Sequence, residues 1–295
     1  MFKKKVLINK EITDNMANHD LTQISKKFQL VGDNIELTLY DFDKDMSEVI
    51  FSKFYSEALR LQKIFNFYDK TSELSRLNQK RNMKCSKELA KVIKLSIKFS
   101  KFTKGEYDAA KGKEFLSRKK DEEKKVNCSY KDVLIKGNVL TLENDDVLID
   151  LGSVAKGYIG DKLTEFLKNE GVESGFIDLR GDMISFGKHT ENMSIQHPRD
   201  KEKTIYSFNL KSESVATSGD YNQYYNNDYD KSHIINKKDI ISVTVVHKKL
   251  AVADALATAI FVCGSKNLKK FSKEKYLVIT KDLKMIKSKG FPDNN

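Results

Sequence analysis

A run of fourteen residues near the end of the chain, LAVADALATAIFVC, constrains the fold more than any other segment. From Leu250 to Cys263, only Asp254 and Thr258 are polar. The run is too short to cross a bilayer, which takes about 20 apolar residues in a helix. A helix that is apolar on every side is buried in a protein interior. We therefore predict that this segment is a helix inside the core.

The two polar side chains of this run stand four residues apart, so they share one face of the helix. A buried carboxylate needs a partner. For Asp254 the partner is a lysine, a backbone N–H group, or a hard cation such as Mg²⁺, which prefers oxygen ligands. A carboxylate and a hydroxyl on one face suit the cation, whereas aspartate often caps or pairs near a helix start. Both interpretations stay open on this segment alone.

A second segment, IDLGSVAKGYIGDKL at residues 149–163, runs from a strand-like stretch into a helix that contains glycines. Glycine in a helix costs about 1 kcal/mol against alanine, so something is expected to approach this backbone closely. A helix start attracts anions such as phosphate, Ser153 can cap it, and Lys156 adds a positive charge. The lysine precedes the second glycine, which excludes a Walker A motif. Tight packing of the helix against a sheet explains the glycines equally well.

Three further polar segments carry candidate ligand contacts. In SVATSGDYNQYY, from residue 214, a strand-like start leads into a dense polar turn at residues 217–220. This turn offers N–H groups and hydroxyls to a polar ligand, or is an ordinary turn. SHIIN contains His233, which either acts as an acid or base, or donates a hydrogen bond to a phosphate, or is a structural residue. In GEYDAAKG, Tyr107 and Asp108 place an aromatic ring and a carboxylate against a ring-bearing ligand.

The charge balance does not favour nucleic-acid binding. The net charge is +11, but the lysines are scattered, with no Arg-rich run and no tryptophan, so a solvated lysine-rich surface is the simpler interpretation. Cys85, Cys128 and Cys263 lack the spacing of a metal site or a disulfide framework. No apolar run follows the basic start, so no secretory signal is predicted. These features predict a cytoplasmic protein without a membrane span. An exported form stays open as an alternative if the given sequence was trimmed.

Hydrophobic periodicity predicts helices at about residues 47–67, 86–105 and 153–171, with Ser86 as an N-cap and Gly105 as a stop. TSELSRLN indicates a polar loop or a short helical turn, and LSRKKDEEKKVNCS a charged loop. VLIDL, before Gly152, is strand-like, and the Gly137-Asn138 pair predicts a hairpin turn.

Taken in order, these segments resemble the ApbE family of FAD:protein FMN transferases. The resemblance covers roughly residues 28–280, and its signature of the form DxGGxAKGYxxD is similar to Asp150 through Asp161. The other blocks, in the family's order, are FNFYDKTSELSRLN, GEYD, ATSGDY, HII and ADALAT. The resemblance implies an α+β fold with mixed and antiparallel sheets packed with helices. It also implies a flexible segment 1–20, a transferase domain 21–285 and a polar tail 286–295.

The resemblance implies an enzyme that binds FAD, uses Mg²⁺ and transfers FMN to a Thr or Ser hydroxyl of an acceptor flavoprotein, releasing AMP. The implied metal ligands are Asp254, Thr258 and the backbone carbonyl of Ala155, and the implied catalytic residues are His233 and Asp254. The glycines of the signature would let backbone and metal approach the pyrophosphate. The implied contacts to FAD are Tyr68, Tyr107, Asp108, Lys156, Asp161, Ser218 and His233.

Two other activities stay open beside the transferase. One is an FAD pyrophosphatase that releases FMN and AMP, and the other is a non-catalytic FAD-binding protein. The chain departs from the family pattern where Gly152-Ser153 replaces a double glycine and Arg180-Gly181-Asp182 replaces Gly-Gly-Asp. The turn after HII, residues 236–239, is shortened.

Overall fold

An eight-stranded antiparallel sheet is the central layer of the computed structural model, which describes residues 10–11, 23–30, 33–120, 122, 125–221, 224–225, 228–232 and 238–293. The strands, in chain order, are β1 (Lys10–Glu11), β2 (Ile24–Leu30), β3 (Asp33–Leu39), β4 (Asn82–Lys84), β5 (Val133–Lys136), β6 (Val139–Leu142), β7 (Gly175–Leu179), β8 (Asp182–Phe186), β9 (Thr190–His197), β10 (Asp200–Lys211), β11 (Ser214–Gly219), β12 (Tyr224–Tyr225), β13 (Asp228–Ser232), β14 (Ile240–His247), β15 (Lys275–Thr280) and β16 (Met285–Lys287).

The central sheet has the strand order β16-β15-β14-β11-β8-β7-β3-β2. Two smaller sheets have the orders β1-β9-β10 and β4-β6-β5, and β12 pairs with β13. All these strand pairs are antiparallel. β5 and β6 meet at the predicted Gly137-Asn138 turn. The α+β class with antiparallel sheets is therefore confirmed.

The helices lie mainly on one side of the central sheet. In chain order they are α1 (Lys44–Phe65), α2 (Glu73–Lys80), α3 (Lys87–Phe102), α4 (Gly112–Lys119), α5 (Ala155–Asn169) and α6 (Leu250–Cys263), with 3-10 helices at Tyr130–Asp132 and Ser265–Phe271.

Alternation along β14 explains why both faces of the sheet are covered. Side chains of successive strand residues point to opposite faces. Val243 and Val245 pack into the apolar cluster beneath the helices, whereas Val246 belongs to the cluster that contains Phe208 and Met193 of the β9–β10 hairpin. The molecule is thus built as helices, central sheet and small sheet, with an apolar core on each side of the central sheet.

The apolar run near the C-terminus is buried, as predicted. α6 packs against β11 and β14 on one side and against α5 and α3 on the others. Asp254 is 6% exposed, so its carboxylate lies inside this layer. No helix in the described ranges is long and apolar enough to cross a membrane.

Capping side chains set several helix starts. Ser86 accepts a hydrogen bond from the Leu89 N–H group at 3.1 Å and is the N-cap of α3, as predicted. Asp43 caps α1 in the same way, which starts that helix at Lys44 rather than near residue 47. Ser72 caps α2, so TSELSRLN forms a true helix.

Three sequence predictions are wrong in detail. VLIDL is not a strand, because its only pairing in the described residues is an isolated parallel bridge between Lys111 and Leu148. The predicted charged loop begins as helix, since α4 extends to Lys119. The predicted polar tail 286–295 includes part of β16 and Phe291, which is 3% exposed and packs on Phe208. Of the predicted flexible segment, only Lys10–Glu11 lies within the described residues, where it pairs with β9.

Candidate functional site

The crossing of α5 over the start of α6 builds the floor of the candidate site. A Cβ atom at Gly157 would lie 2.5 Å from the Leu250 carbonyl oxygen, and one at Gly160 would lie 2.7 Å from the Leu179 side chain. These two glycines are therefore needed for helix packing, which was the simpler of the two sequence interpretations. The approach of a phosphate or a metal to this backbone stays a prediction. Gly152, in contrast, is exposed.

We expect Gly157→Ala to destabilise the protein by about 3 kcal/mol, because the new methyl group meets backbone atoms that cannot turn away. Urea unfolding measures the change. Gly152→Ala is the matched control: its Cβ would lie 3.1 Å from the Asp150 carboxylate oxygen, and no backbone atom crowds it. We expect the control to stay within about 1 kcal/mol of wild type. Equal losses for the two variants would contradict the packing role.

Asp254 projects from α6 to the first turn of α5. Its Oδ2 accepts a hydrogen bond from the Gly157 N–H group at 3.1 Å, so a backbone N–H is one partner, as the sequence allowed. Burial, and after it the nearby Asp182 carboxylate, raise the pKa of Asp254 to about 8. The charge of Lys156 and the Gly157 N–H act in the opposite direction. This carboxylate therefore lacks enough positive charge around it to ionise easily.

Lys156 and Asp182 form a second charged element beside Asp254. The lysine Nζ lies 2.5 Å from the Asp182 Oδ2, and the aspartate side chain is 3% exposed. Asp182 Oδ1 accepts a hydrogen bond from the Thr217 N–H at 3.3 Å. Burial opposes the charge of Lys156, but the Asp182 and Asp254 carboxylates outweigh it and raise the lysine's pKa. The site thus holds two buried acids beside one partly exposed base.

Asp182 is a site residue that sequence analysis did not select. It opens β8 directly after a tight turn in which Arg180 has a φ of 65° and Gly181 a φ of 92°. The sequence signal was a carboxylate in a mostly apolar stretch, DMISF, because an acid that is buried requires a partner.

The face of α6 that carries Asp254 also brings Thr258 to the edge of β11. Thr258 Oγ1 and Ser218 Oγ are 3.0 Å apart. The next side chain back along β11, Thr217, makes a 3.0 Å hydroxyl contact to Thr244 of β14. Two predicted site residues, Ser218 and Thr258, are therefore in direct contact.

Tyr107 lies on another side of the site and contacts Ser153, which directly precedes the N-cap of α5. Ser153 Oγ donates to the Tyr107 hydroxyl at 2.8 Å, and Tyr107 is 3% exposed. Burial raises the pKa of this tyrosine. The prediction that Ser153 caps α5 is wrong, because the N-cap is Val154 and no side chain caps the helix.

Asp108 and Asp161 are engaged with backbone groups. Asp108 accepts hydrogen bonds from the Ala110 N–H at 3.0 Å and the Tyr130 N–H at 2.9 Å. Asp161 accepts from the N–H groups of Leu250 at 2.9 Å and of the next residue at 3.2 Å, so it holds the start of α6. Burial raises the pKa of both carboxyl groups. Both residues visibly support the fold, and contact with FAD stays a prediction for them.

Of the remaining predicted positions, Tyr68 and Ala155 lie within the described residues. Tyr68 is 58% exposed, with its ring edge against Phe67. His233 lies outside the described residues. Ala155, whose carbonyl was predicted as a metal ligand, is the first residue of α5 and is buried two residues before Gly157.

Comparison with known proteins agrees with this architecture. The chain is 27% identical to an FAD:protein FMN transferase from Vibrio cholerae over 67% of this chain and 68% of the relative. It is 28% identical to a protein of the same name from Buchnera aphidicola, over 70% and 71% of the two chains.

Solved structures share the fold. A flavin transferase ApbE from Vibrio cholerae superposes with a TM-score of 0.80 at 22% identity, covering 92% of this chain and 98% of the other. An ApbE protein from Thermotoga maritima gives a TM-score of 0.79 at 23% identity, covering 91% and 97%. The ApbE family model matches residues 31–279, which is most of the sequence, and this protein therefore belongs to the ApbE family.

Proposed function

We propose that this protein is an FAD:protein FMN transferase that uses Mg²⁺ and modifies a Thr or Ser hydroxyl of an acceptor flavoprotein. Relatives that align with about two thirds of the chain have that transferase name. The observation that carries the proposal is the buried Asp254 carboxylate at the first turn of α5, beside the Lys156–Asp182 pair. A helix start favours anions, and here it contacts a buried carboxylate, which needs a positively charged partner when it is ionised.

The donor set fits a hard divalent cation. In the described part of the chain, Asp254 accepts a single hydrogen bond, and burial together with the Asp182 carboxylate raises its pKa beyond what Lys156 offsets. Thr258 offers a hydroxyl on the same face, and Ala155 offers a backbone carbonyl at the adjoining helix start. The described residues contain no cluster of three His, Cys, Asp or Glu side chains suited to a metal, so the proposed ligands are the mixed oxygen donors that Mg²⁺ accepts.

The chain's own residues position the diphosphate in this proposal. The start of α5 has no side-chain cap, and its partial positive charge favours an anion. The Ala155 and Gly157 N–H groups already donate to the Leu151 carbonyl and to Asp254, so in this proposal the helix dipole attracts the diphosphate. Lys156 supplies a full charge next to it and can turn from Asp182 to a phosphate oxygen. Mg²⁺, when bound, would neutralise negative charge on the diphosphate, an effect worth several kcal/mol.

The proposed reaction is one phosphoryl transfer. The acceptor hydroxyl oxygen bonds to the phosphorus of the FMN half, the bond from that phosphorus to the bridging oxygen breaks, and AMP leaves with that oxygen. The hydroxyl proton passes to a base, for which we propose His233, with Asp254 as a second candidate. Tyr68, Tyr107, Asp108, Asp161 and Ser218 are the proposed surroundings of the flavin and adenine rings.

The cellular location is part of the proposal. Cys85, Cys128 and Cys263 are free and buried. This arrangement is typical of a protein in a reducing compartment, where thiols are not oxidised. We therefore propose that the enzyme works on a cytoplasmic acceptor.

Mass spectrometry of an acceptor flavoprotein co-expressed with this chain tests the function. We expect a covalent FMN adduct on a Thr or Ser residue and one AMP for each adduct. Free FMN and AMP without an adduct would identify a pyrophosphatase instead. Unchanged FAD would identify a non-catalytic FAD-binding protein.

We expect Lys156→Gln to raise the Kd for FAD about tenfold, because a charge-assisted contact to phosphate is worth roughly 1.5 kcal/mol. The single variant also leaves Asp182 buried without its counter-charge, which lowers stability. Lys156→Gln combined with Asp182→Asn removes both charges and serves as the control. We expect the double variant to recover stability but not affinity in a flavin fluorescence titration. Wild-type affinity in the double variant would assign Lys156 a purely structural role.

A further inference from the structure

The solvent side of α3 is a row of lysines. Five exposed lysines follow one another at spacings of four, three, four and three residues, which places them on one helix face. The row extends about 21 Å along the helix axis at 1.5 Å per residue. We call it the α3 lysine face, and its members are Lys87, Lys91, Lys94, Lys98 and Lys101.

The α3 lysine face continues onto the 3-10 helix that follows α6. Phe102, at the end of α3, is 48% exposed, and its ring centroid lies 5.3 Å from that of Phe271. This contact brings the 3-10 helix Ser265–Phe271 beside the row. That helix adds exposed lysines, and these are Lys266, Lys269 and Lys270.

Within the described residues, no ion pair compensates the α3 lysine face. Lys94 donates to the Gly137 carbonyl at 3.0 Å and Lys91 lies over the Tyr158 ring at 5.9 Å, but neither contact brings negative charge. The only acid of α3, Glu88, is hydrogen-bonded to Arg60 at 2.8 Å.

Some lysines on other elements are paired with acids. These pairs include Lys26–Glu48, Lys53–Glu170, Lys113–Asp146, Lys162–Glu165, Lys203–Asp200 and Lys275–Glu213. Like charges three and four residues apart destabilise a helix. The α3 row, which has no such pair in the described residues, therefore weakens its helix locally. A local conflict of this kind is typical of a functional surface.

We infer that the α3 lysine face docks on an anionic lipid bilayer surface. Protein–protein interfaces are depleted in lysine, and sites that read bases use bidentate arginine, which α3 lacks. Clusters of four to eight basic residues bind anionic headgroups. Phe102, half-exposed at the end of the row, presents an apolar ring to the interfacial region. This inference is independent of the proposed activity.

Sedimentation of the 295-residue chain with lipid vesicles tests the inference. We expect binding to vesicles with 30% phosphatidylglycerol in phosphatidylcholine at low salt, loss of binding at high salt, and no binding to pure phosphatidylcholine. Replacing Lys87, Lys98 and Lys101 by Gln is expected to weaken binding about a hundredfold. Glutamine is a good helix former, and a thermal melt checks that the variant is folded.

The matched control replaces three exposed lysines on other elements by Gln and changes the net charge equally. These are Lys44, Lys211 and Lys289. We expect this control to bind as tightly as wild type to within about threefold. Equal loss in the two triple variants would mean that net charge alone drives binding, and absence of wild-type binding at low salt would also overturn the inference. Tighter binding to a 20-base-pair DNA duplex than to the vesicles would assign the face to nucleic acid instead.

Discussion

Asp254→Asn is expected to lower kcat for FMN transfer at least about a thousandfold, since the loss of roughly 4 kcal/mol of charge stabilisation has that effect on a rate. The variant keeps the size of the side chain, and the amide oxygen can still accept the Gly157 N–H bond that the carboxylate accepts at 3.1 Å. It removes only the negative charge that we propose holds Mg²⁺. Steady-state assays with FAD and the acceptor at saturating Mg²⁺ measure the change.

Variants at Thr258 provide the control for this result. Thr258→Ser keeps the hydroxyl that lies 3.0 Å from Ser218 Oγ, and it should retain activity to within about tenfold. Thr258→Val keeps the shape but loses the hydroxyl, and its activity should fall toward that of Asp254→Asn. If Asp254→Asn turned over at the wild-type rate in excess Mg²⁺, the assignment of the metal to this carboxylate would be wrong.

Local patterns predicted the elements that hold the site. The uninterrupted apolar run of α6 required burial, and its two polar side chains shared a face by helical geometry. Ser86 capped α3 because capping depends on residues only three positions apart. In each case the physical cause lay within one or two turns of the chain, where a sequence pattern can record it.

The contacts between elements could not be predicted in this way. The N–H partner of Asp254 comes from Gly157, 97 residues earlier in the chain, and nothing around either residue indicates that meeting. The same contact explains the glycines of α5, which allow the two helices to approach. Asp182 was overlooked because its relation to Lys156 arises only when β8 packs beneath α5.

The overall composition of the chain did not indicate the α3 lysine face. Lysines that are scattered along the sequence became a continuous row once helical periodicity and burial were combined. Asp161 has a structural role that its place in the family signature did not indicate. Its carboxylate accepts hydrogen bonds from the N–H groups of Leu250 and Ala251 and so holds the start of α6. A residue in a signature can therefore support the fold of the site, and contact of Asp161 with FAD stays a prediction.

The raised pKa of Asp254 makes stability depend on pH and on metal. An aspartate in an unfolded chain has a pKa near 3.9, whereas burial and the neighbouring Asp182 raise that of Asp254 to about 8 in the folded protein. Between these values the folded protein binds the proton more tightly than the unfolded chain. The stability contributed by this group is therefore complete below about pH 4 and is lost as the pH rises toward 8.

Asp254→Asn does not titrate, so without divalent metal the variant should be more stable than wild type at neutral pH. We expect the difference in the free energy of unfolding to be near zero at pH 4 and to reach on the order of 3 kcal/mol at pH 7.5. Urea unfolding of both proteins across this range in EDTA measures it, and the subtraction cancels groups that titrate in both. Added Mg²⁺ should stabilise wild type but not the variant, because the metal binds only the folded, ionised site. Two results would contradict the proposal that Asp254 is a buried acid that binds a cation. One is a wild type that Mg²⁺ does not stabilise, and the other is a difference in unfolding free energy that shrinks as the pH rises.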